Sequence, residues 1–303
     1  MNYSKVVNQV IVLFLILLVG FYCRKRNIIN ETVKKGLSEL LLKITLPFMI
    51  ISSFNLQYSS DMLINGGKVL LYSIIIHFSF IFISKIFYFK YEESQKNVLR
   101  FSTIFSNVGF MGYPILESIF GKIGVFYGAI FNVGFNLFLW TAGVMIFTKE
   151  KKLSNIKKVV INPALIAVIV GILVFISPIK PPYAVYKTLE AVGSMTTPLS
   201  MIIIGAMLAE ANYKETFSGF KVYYCSLIRL LAMPICAYIL LRIIGAEGQL
   251  LKISVVIEAM PVAVLSGIIA EQYKGDSILA SRCIFMSTLL SMFTIPLVAL
   301  FLL

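Results

Sequence analysis

Charged side chains are scarce in this sequence, since 14% of its 303 residues are Asp, Glu, Lys or Arg, against about 25% in soluble domains. Hydrophobic residues make up 59% of the chain, and the mean hydropathy is +0.90. A soluble globular protein does not have this composition. We therefore expect an integral membrane protein that has the lipid bilayer as its partner.

Several chemically useful residues are also rare. The only aspartates, Asp61 and Asp276, fall in predicted loops, whereas an aspartyl intramembrane protease needs two within the membrane. His77 is the only histidine, and we interpret it as a packing residue in preference to a proton relay. The four cysteines show neither disulfide nor zinc-site spacing, and no nucleotide-binding P-loop is present. The sequence therefore predicts no enzyme, no metal site and no cofactor.

Long apolar runs dominate the rest of the chain. Each run is about 17 to 25 residues long, enough to cross a hydrocarbon core of about 30 Å as a helix. Strand-like alternation is absent, so the backbone must satisfy its hydrogen bonds within helices. The prediction is an all-α integral membrane protein with ten transmembrane helices, at residues 5–22, 37–54, 69–89, 98–120, 123–147, 160–177, 188–209, 221–243, 252–272 and 279–302.

The net charge is +13, and the positively charged residues are unequally divided between the two sides of the membrane. Loops after the odd-numbered spans carry seventeen Lys and Arg residues, and the opposite loops carry seven. The positive-inside rule places the richer side in the cytoplasm, so we expect both termini outside it. This distribution explains the charge without nucleic acid. The first apolar run precedes its basic cluster, so it is interpreted as a span and not as a signal peptide.

The positions of the prolines predict an internal repeat. Pro47 in the second span and Pro198 in the seventh are separated by 151 residues, and Pro114 in the fourth and Pro261 in the ninth by 147. Five spans in each half would give the halves opposite orientations, as in many secondary transporters. The predicted organisation is a first repeat at 1–147, a short basic cytoplasmic loop at 148–159 and a second repeat at 160–303.

The stretch "NVGFMGYP" predicts a broken helix in the fourth span. Gly109, Gly112 and Pro114 weaken the helix within six residues. Non-helical backbone at this depth is tolerated only inside protein or beside a water-filled cavity. The half-helix after the break would direct its N-terminal N–H groups at an anion, with the Asn107 amide nearby. A proline kink used only for packing is the alternative.

The ninth span carries an acidic residue next to its proline. Glu258 lies three residues before Pro261, and a carboxylate in the membrane is expensive unless it is functional or paired. Two hypotheses stay open: Glu258 carries a coupling proton, or it pairs structurally with Arg229 of the eighth span. Glu117, three residues after Pro114, is the second acidic candidate.

Four motifs together resemble the auxin efflux carrier family, which includes the plant PIN-FORMED proteins and bacterial relatives. Residues 107–114 are similar to its N-x4-G-x-P motif, and "KKVVINP" at 157–163 is similar to its basic loop with an Asn-Pro pair. The sequences "AVGSMTTPLSMIIIGAMLAE" at 191–210 and "MPVAVLSGIIAEQY" at 260–273 resemble its seventh and ninth spans. The resemblance covers essentially the whole chain.

The resemblance implies two inverted five-helix repeats in which broken spans 4 and 9 cross. A scaffold formed by spans 1, 2, 6 and 7 would carry a transport domain formed by spans 3–5 and 8–10, which moves like an elevator. Asn107, Pro114 and Pro261 carry over as residues that bind an organic anion, and Gly109 and Gly112 of the predicted break complete the expected substrate-binding set. The resemblance also implies a homodimer. Many bacterial relatives place an asparagine after the ninth-span proline, but residues 262–266 here read "VAVLS".

The leading hypothesis is a secondary transporter of a small organic anion, such as a carboxylate, in the bacterial inner membrane. A sodium-coupled bile-acid-type symporter would share the crossed, broken helices but would need oxygen ligands around both breaks. A receptor or sensor on a transporter fold is the third hypothesis, because fold does not fix function.

Overall fold

A computed structural model of the chain describes residues 3–148, 161–178, 181–210 and 217–302. Every regular element in these residues is a helix, which confirms the all-α prediction for them. Residues 149–159 of the predicted basic loop lie outside the described residues. The α-helices are α1 Tyr3–Lys25, α2 Glu31–Leu40, α3 Leu46–Ser53, α4 Ser60–Phe87, α5 Glu93–Ile104, α6 Tyr113–Phe138, α7 Val144–Thr148, α8 Pro163–Ile176, α9 Tyr183–Ser194, α10 Thr196–Ala209, α11 Phe220–Leu227, α12 Met233–Ile243, α13 Gly248–Glu258, α14 Leu265–Gln272 and α15 Ser277–Leu302.

Seven helical runs in the described part of the chain are long and apolar enough to cross a membrane. They are Val7–Lys25, Glu31–Ser53, Ser60–Phe87, Val108–Thr148, Tyr183–Ala209, Phe220–Ile243 and Ser277–Leu302, and Pro163–Ile176 is a shorter apolar helix. The count is below ten because the predicted spans 98–120 and 252–272 are interrupted. In addition, Val108–Thr148 runs through a kink at Gly121, where φ is 64°. The chain is thus a multi-pass membrane protein, and the ten-span count stays a prediction.

Three of the four π-helical turns in the described residues lie just before a proline, and the fourth, Leu139–Gly143, does not. The turns Leu41–Thr45, Val108–Gly112 and Ile228–Ala232 each end two residues before a proline, namely Pro47, Pro114 and Pro234. A proline lacks the N–H that the preceding turn would need as a donor. A π-turn changes the hydrogen-bonding pattern in the same place, so the helix continues past the proline with a local adjustment.

One compact unit comprises residues 1–68, 109–130 and 160–210. In it α1 and α10 pack with their backbones in contact, because a Cβ added at Gly20 or Gly205 would collide with main-chain atoms of the other helix. The same unit also contains an aromatic cluster, in which the ring centroid of Phe126 lies 4.5 Å from that of Phe54 and 5.3 Å from that of Phe175. Glu39 and Lys43, four residues apart in sequence, form a local ion pair at 2.8 Å.

The other compact unit comprises residues 69–108, 131–159 and 211–303. Helix α15 is central to it and contacts α5, α11, α13 and α14. The buried rings of Phe101 and Phe105 pack against each other, with 4.7 Å between centroids, and approach Gly143 closely. This unit contains the interruptions of both the fourth and the ninth predicted spans.

Both compact units draw residues from each half of the sequence. They therefore differ from the predicted segments 1–147 and 160–303. Those segments are halves of a predicted internal sequence repeat, and they were not expected to be separately packed units. The repeat boundaries stay a prediction.

Candidate functional site

Two helices of the second unit end inside the apolar core. Helix α5 ends at Ile104 and is followed by the non-helical residues 105–107, and α13 ends at Glu258 and is followed by the non-helical residues 259–264. The first interruption therefore lies before Gly109, Gly112 and Pro114, which are all helical. The prediction of a break was right, but its location shifts to 105–107, because the π-turn accommodates the proline.

The two interruptions are joined by main-chain hydrogen bonds. Asn107 N–H donates to the carbonyl of Pro261 at 2.8 Å, and Ala263 N–H donates to the carbonyl of Phe105 at 3.0 Å. Ser106 and Val262 form an isolated antiparallel β-bridge between these bonds. The structure thus brings the predicted site residues Asn107 and Pro261 together.

A side chain from α15 completes the junction. Val262 N–H donates to Ser287 Oγ at 3.1 Å, and both residues are buried. Backbone amides that leave a helix inside the membrane need such partners, since no water is available there. The amides of Asn107 and Ala263 therefore hold the two breaks together, and the amide of Val262 ties the second break to α15.

Arg229 is fully buried and binds the carbonyl ends of both interrupted helices. Its Nη1 donates to the carbonyls of Thr103 at 2.7 Å and Ile104 at 3.1 Å, at the end of α5. Its Nε donates to the carbonyl of Met260 at 3.1 Å, and its Nη2 to the carbonyl of Glu258. Helix C-termini carry a partial negative charge and unsatisfied carbonyls, so one guanidinium stabilises both.

The Glu258 carboxylate lies between two other ionisable groups. Its Oε2 accepts from Arg229 Nη2 at 2.7 Å, and its Oε1 lies 3.5 Å from His77 Nε2. All three side chains have 0% exposure. The hypothesis that Glu258 pairs with Arg229 is therefore confirmed. His77 is not an isolated packing residue, because it completes an Arg229–Glu258–His77 cluster.

His77 is otherwise surrounded by aromatic rings. The planes of Phe105 and Phe138 lie nearly parallel to the imidazole, at centroid distances of 6.1 and 6.0 Å. On its other nitrogen, Nδ1 lies 2.7 Å from the main-chain carbonyl of Ser73. The remaining neighbouring rings are those of Phe80, Phe131 and Phe135.

The remaining predicted site residues, Gly109, Gly112, Pro114 and Glu117, belong to the first unit. There Ser200 Oγ donates to the carbonyl of Phe110, the residue four before Pro114. This is the carbonyl that loses its helical donor because proline has no N–H. Glu117 Oε2 accepts from Thr197 Oγ1 at 2.6 Å.

Sequence reasoning missed the histidine and the extent of the arginine contacts. One signal was available: Arg229, Glu258 and His77 are ionisable residues in the eighth, ninth and third predicted spans, and such residues in a membrane usually pair. Which of them meet depends on helix packing, so the sequence could not assign the cluster. The part played by Ser287 gave no sequence signal at all.

The fold and the paired interruptions define a class of protein: a polytopic membrane protein with irregular backbone and buried charge within its spans, features typical of transporters. Comparison with known families agrees. The family model described as "Membrane transport protein" matches residues 5–159 and 152–299. The chain belongs to this family of membrane transporters, which is the auxin efflux carrier family.

Individual relatives align over nearly the whole chain. An uncharacterized transporter MJ1031 of Methanocaldococcus jannaschii is 25% identical over 300 residues, which cover 95% of this chain and 96% of that protein. An uncharacterized transporter of Methanothermobacter thermautotrophicus is 24% identical, with 98% and 97% coverage. The uncharacterized transporter YfdV of Escherichia coli K12 is 21% identical, covering 88% of each chain. These similarities support a transporter and favour a non-enzymatic protein.

Proposed function

We propose that this protein is a secondary transporter that moves a small organic anion, such as a carboxylate, across the plasma membrane. The observation that carries the proposal is the junction of Asn107 with Pro261, where two interrupted helices meet in a buried part of the second unit. Interrupted helices of this kind form the substrate sites of many secondary transporters.

Within the second unit the anion would bind beside this junction. The Asn107 side chain, which is 4% exposed, supplies an uncharged donor for a carboxylate. The N-terminal turn of α14 begins at Leu265, directly after the second interruption, and offers N–H groups and the positive end of the helix dipole. The roles of Gly109, Gly112 and Pro114 in binding rest on the sequence alone.

The proposed mechanism is alternating access of the elevator type, with ten spans in two inverted repeats. The composition of the compact units supports it, since the first contains predicted spans 1, 2, 6 and 7 and the second contains spans 3 and 8–10 with most of span 5. That grouping resembles the scaffold and the transport domain. Residues 109–130 are an exception, because they group with the first unit. A homodimer and extracytoplasmic termini complete the proposal.

Sodium coupling is disfavoured at the junction. Carbonyl oxygens at the unwound ends of helices are typical sodium ligands in transporters. Here the carbonyls of Thr103, Ile104 and Met260 already accept from Arg229. We therefore favour an anion carrier over a sodium-coupled bile-acid-type symporter.

Energetics allow export without a coupled metal ion. An anion that leaves a cell with an inside-negative potential gains about 2.3 kcal/mol per charge per 100 mV. Import of the same anion would need coupling to another gradient. The proposal therefore includes export driven by the membrane potential, and proton coupling for accumulation against it.

The test is counterflow in proteoliposomes with a panel of labelled mono- and dicarboxylates. We expect saturable counterflow of at least one carboxylate. The Asn107→Ala variant should reduce it about tenfold or more, because a buried hydrogen bond to a charged group contributes about 1.5–3 kcal/mol. Asn97→Ala is the matched control, since Asn97 lies within helix α5, away from the interruption that follows this helix, and should retain normal counterflow.

Two results would overturn the proposal. One is the absence of saturable counterflow for every carboxylate in protein shown to be folded. The other is full activity of Asn107→Ala. Counterflow that requires sodium on both sides of the membrane would instead favour the bile-acid-type symporter.

A further inference from the structure

His77 Nε2 and Glu258 Oε1 face each other with no hydrogen between them to form a hydrogen bond. His77 Nδ1 lies 2.7 Å from the main-chain carbonyl oxygen of Ser73. A carbonyl oxygen only accepts, so Nδ1 must carry the hydrogen of this bond. In a neutral imidazole the other nitrogen, Nε2, is then an acceptor with no hydrogen of its own.

The partner of Nε2 is also an acceptor. An ionised carboxylate has no hydrogen to give, and Glu258 Oε1 lies 3.5 Å from Nε2. Both atoms are buried and have no hydrogen-bond donor. Two lone pairs facing each other in an apolar core are unfavourable, and a single added proton turns the contact into a charge-assisted hydrogen bond.

We propose that His77 and Glu258 form a proton-binding site, in which one proton bridges His77 Nε2 and Glu258 Oε1 and couples to transport. The coupling rests on the proposed carrier function, but the proton site itself does not. On binding, the proton comes from water and is held by Nε2 and Oε1. On release it returns to water, while Nδ1–H stays bonded to Ser73 and Arg229 keeps its charge.

The surroundings of His77 suit a ring that alternates between neutral and positive. Among the described residues, the titratable or charged groups that face it are Glu258 from α13 and Arg229 from the turn before α12. Without the added proton the three side chains sum to zero charge, and with it to one positive charge. The faces of Phe105 and Phe138 flank the imidazole, and aromatic faces attract a cation.

The position of the pair explains how a proton could affect transport. Glu258 is the last residue of α13 and lies three residues before Pro261, whose carbonyl accepts from Asn107. Both members of the pair have 0% exposure, so protons exchange only when water reaches the junction. A change of charge there alters the field at the proposed anion site.

The direct test uses the fact that the chain contains one histidine. Protein labelled with ¹⁵N-histidine, purified without a histidine tag, gives imidazole signals from His77 alone. We expect Nδ1 to be protonated throughout, and Nε2 to change from unprotonated to protonated as the pH is lowered. An Nε2–H tautomer, or signals that stay constant at every pH at which the protein remains folded, would overturn the proposal.

Two variants sharpen this measurement. Glu258→Gln should abolish the Nε2 protonation change, because a glutamine amide donates to Nε2 without an added proton. Glu247→Gln is the matched control, since its carboxylate pairs with Arg242 near the surface, and it should leave the change intact. An unaltered titration in folded Glu258→Gln would contradict the proposal.

The coupling is tested in proteoliposomes with the carboxylate identified by counterflow. One coupled proton changes the steady-state accumulation ratio by up to about tenfold per unit of pH difference. In His77→Gln this dependence should vanish while counterflow at equal pH persists, because glutamine donates to Glu258 and leaves the Arg229 pair in place. Equal pH dependence in His77→Gln and the wild type would sink the coupling.

Failure of this proposal is distinguishable from failure of the carrier function. Counterflow with no dependence on the pH difference refutes the proton coupling and leaves the carrier standing. A titrating Nε2 in a protein without any counterflow supports the proton site and refutes the carrier.

Discussion

Asn107 N–H donates to the carbonyl of Pro261 at 2.8 Å, so the main chains of two interrupted helices hold each other directly. The bond uses backbone atoms only, so an alanine at 107 keeps the N–H that donates. Replacing Asn107 by alanine therefore removes the side-chain amide and leaves this main-chain hydrogen bond in place. This separation allows binding and stability to be measured independently.

Arg229 should be the largest single contributor to the stability of the junction. Arg229→Met leaves Glu258 without its cation and four main-chain carbonyls without a donor. Removing one partner of a buried ion pair costs about 3–5 kcal/mol, and we expect a loss of this size. The free energy of unfolding in mixed micelles, measured by titration with a denaturing detergent, provides the check.

Arg242→Met is the control for this measurement. Arg242 lies on the neighbouring helix α12 and pairs with Glu247 at 3.1 Å, with both side chains largely exposed. Exposed ion pairs contribute about 0–1 kcal/mol. A loss in Arg229→Met no larger than that in Arg242→Met would contradict the structural role of Arg229.

Ser200 should stabilise the helix that contains Pro114. In Ser200→Ala the carbonyl of Phe110 loses the hydroxyl donor seen in the structure, and an intramolecular hydrogen bond contributes about 0.5–1.5 kcal/mol. Ser194→Ala removes an exposed hydroxyl that bonds to its own helix and should change stability by less than about 0.5 kcal/mol. Thiol-dye melting, which detects exposure of the buried Cys225 and Cys283, compares the two variants. Equal melting curves would show that Phe110 needs no donor from Ser200.

Features that depend on composition and on helix-breaking residues could be predicted from the sequence. Hydrophobic run length predicted the helices and the membrane, since these follow from transfer free energies alone. Pro114 and Pro261 predicted the two interruptions. The first interruption lies at 105–107, before Gly109 and Gly112, because the π-turn at Val108–Gly112 lets the helix continue past Pro114. Propensities describe α-helices and do not predict such turns.

The cluster of charges could be predicted only in part. A lone intramembrane glutamate implies a partner, and Arg229 was a reasonable candidate on the adjacent span. His77 lies more than one hundred residues before Glu258, and its neighbours in sequence are apolar. Its contact with Glu258 depends on how α4 and α13 pack, which periodicity does not determine.

The orientation predicted by the positive-inside rule can be tested with matched cysteines. Glu92 precedes α5 in a loop expected in the cytoplasm, and Glu247 precedes α13 in a loop expected outside it; both are exposed. In a background without the native cysteines, a membrane-impermeant thiol reagent added to intact cells should label Glu247→Cys and spare Glu92→Cys. Permeabilised cells, in which both must react, are the control. The reverse labelling pattern would invert the topology.

Gly205 should be intolerant of any side chain, because α1 and α10 touch there. A Cβ at Gly205 would overlap the carbonyl of Leu17, a main-chain atom that cannot rotate away. Gly205→Ala must push the helices apart, and overpacking of this kind costs about 1–3 kcal/mol.

Gly36→Ala provides the opposite expectation from the same substitution. Gly36 is exposed in the interior of α2, with nothing within 4 Å of an added Cβ. There alanine should stabilise the protein by about 0.5–1 kcal/mol, because it favours the helix more than glycine does. Unfolding in mixed micelles should thus shift in opposite directions for the two variants. Stabilisation by both would show that α1 and α10 are not in backbone contact at Gly205.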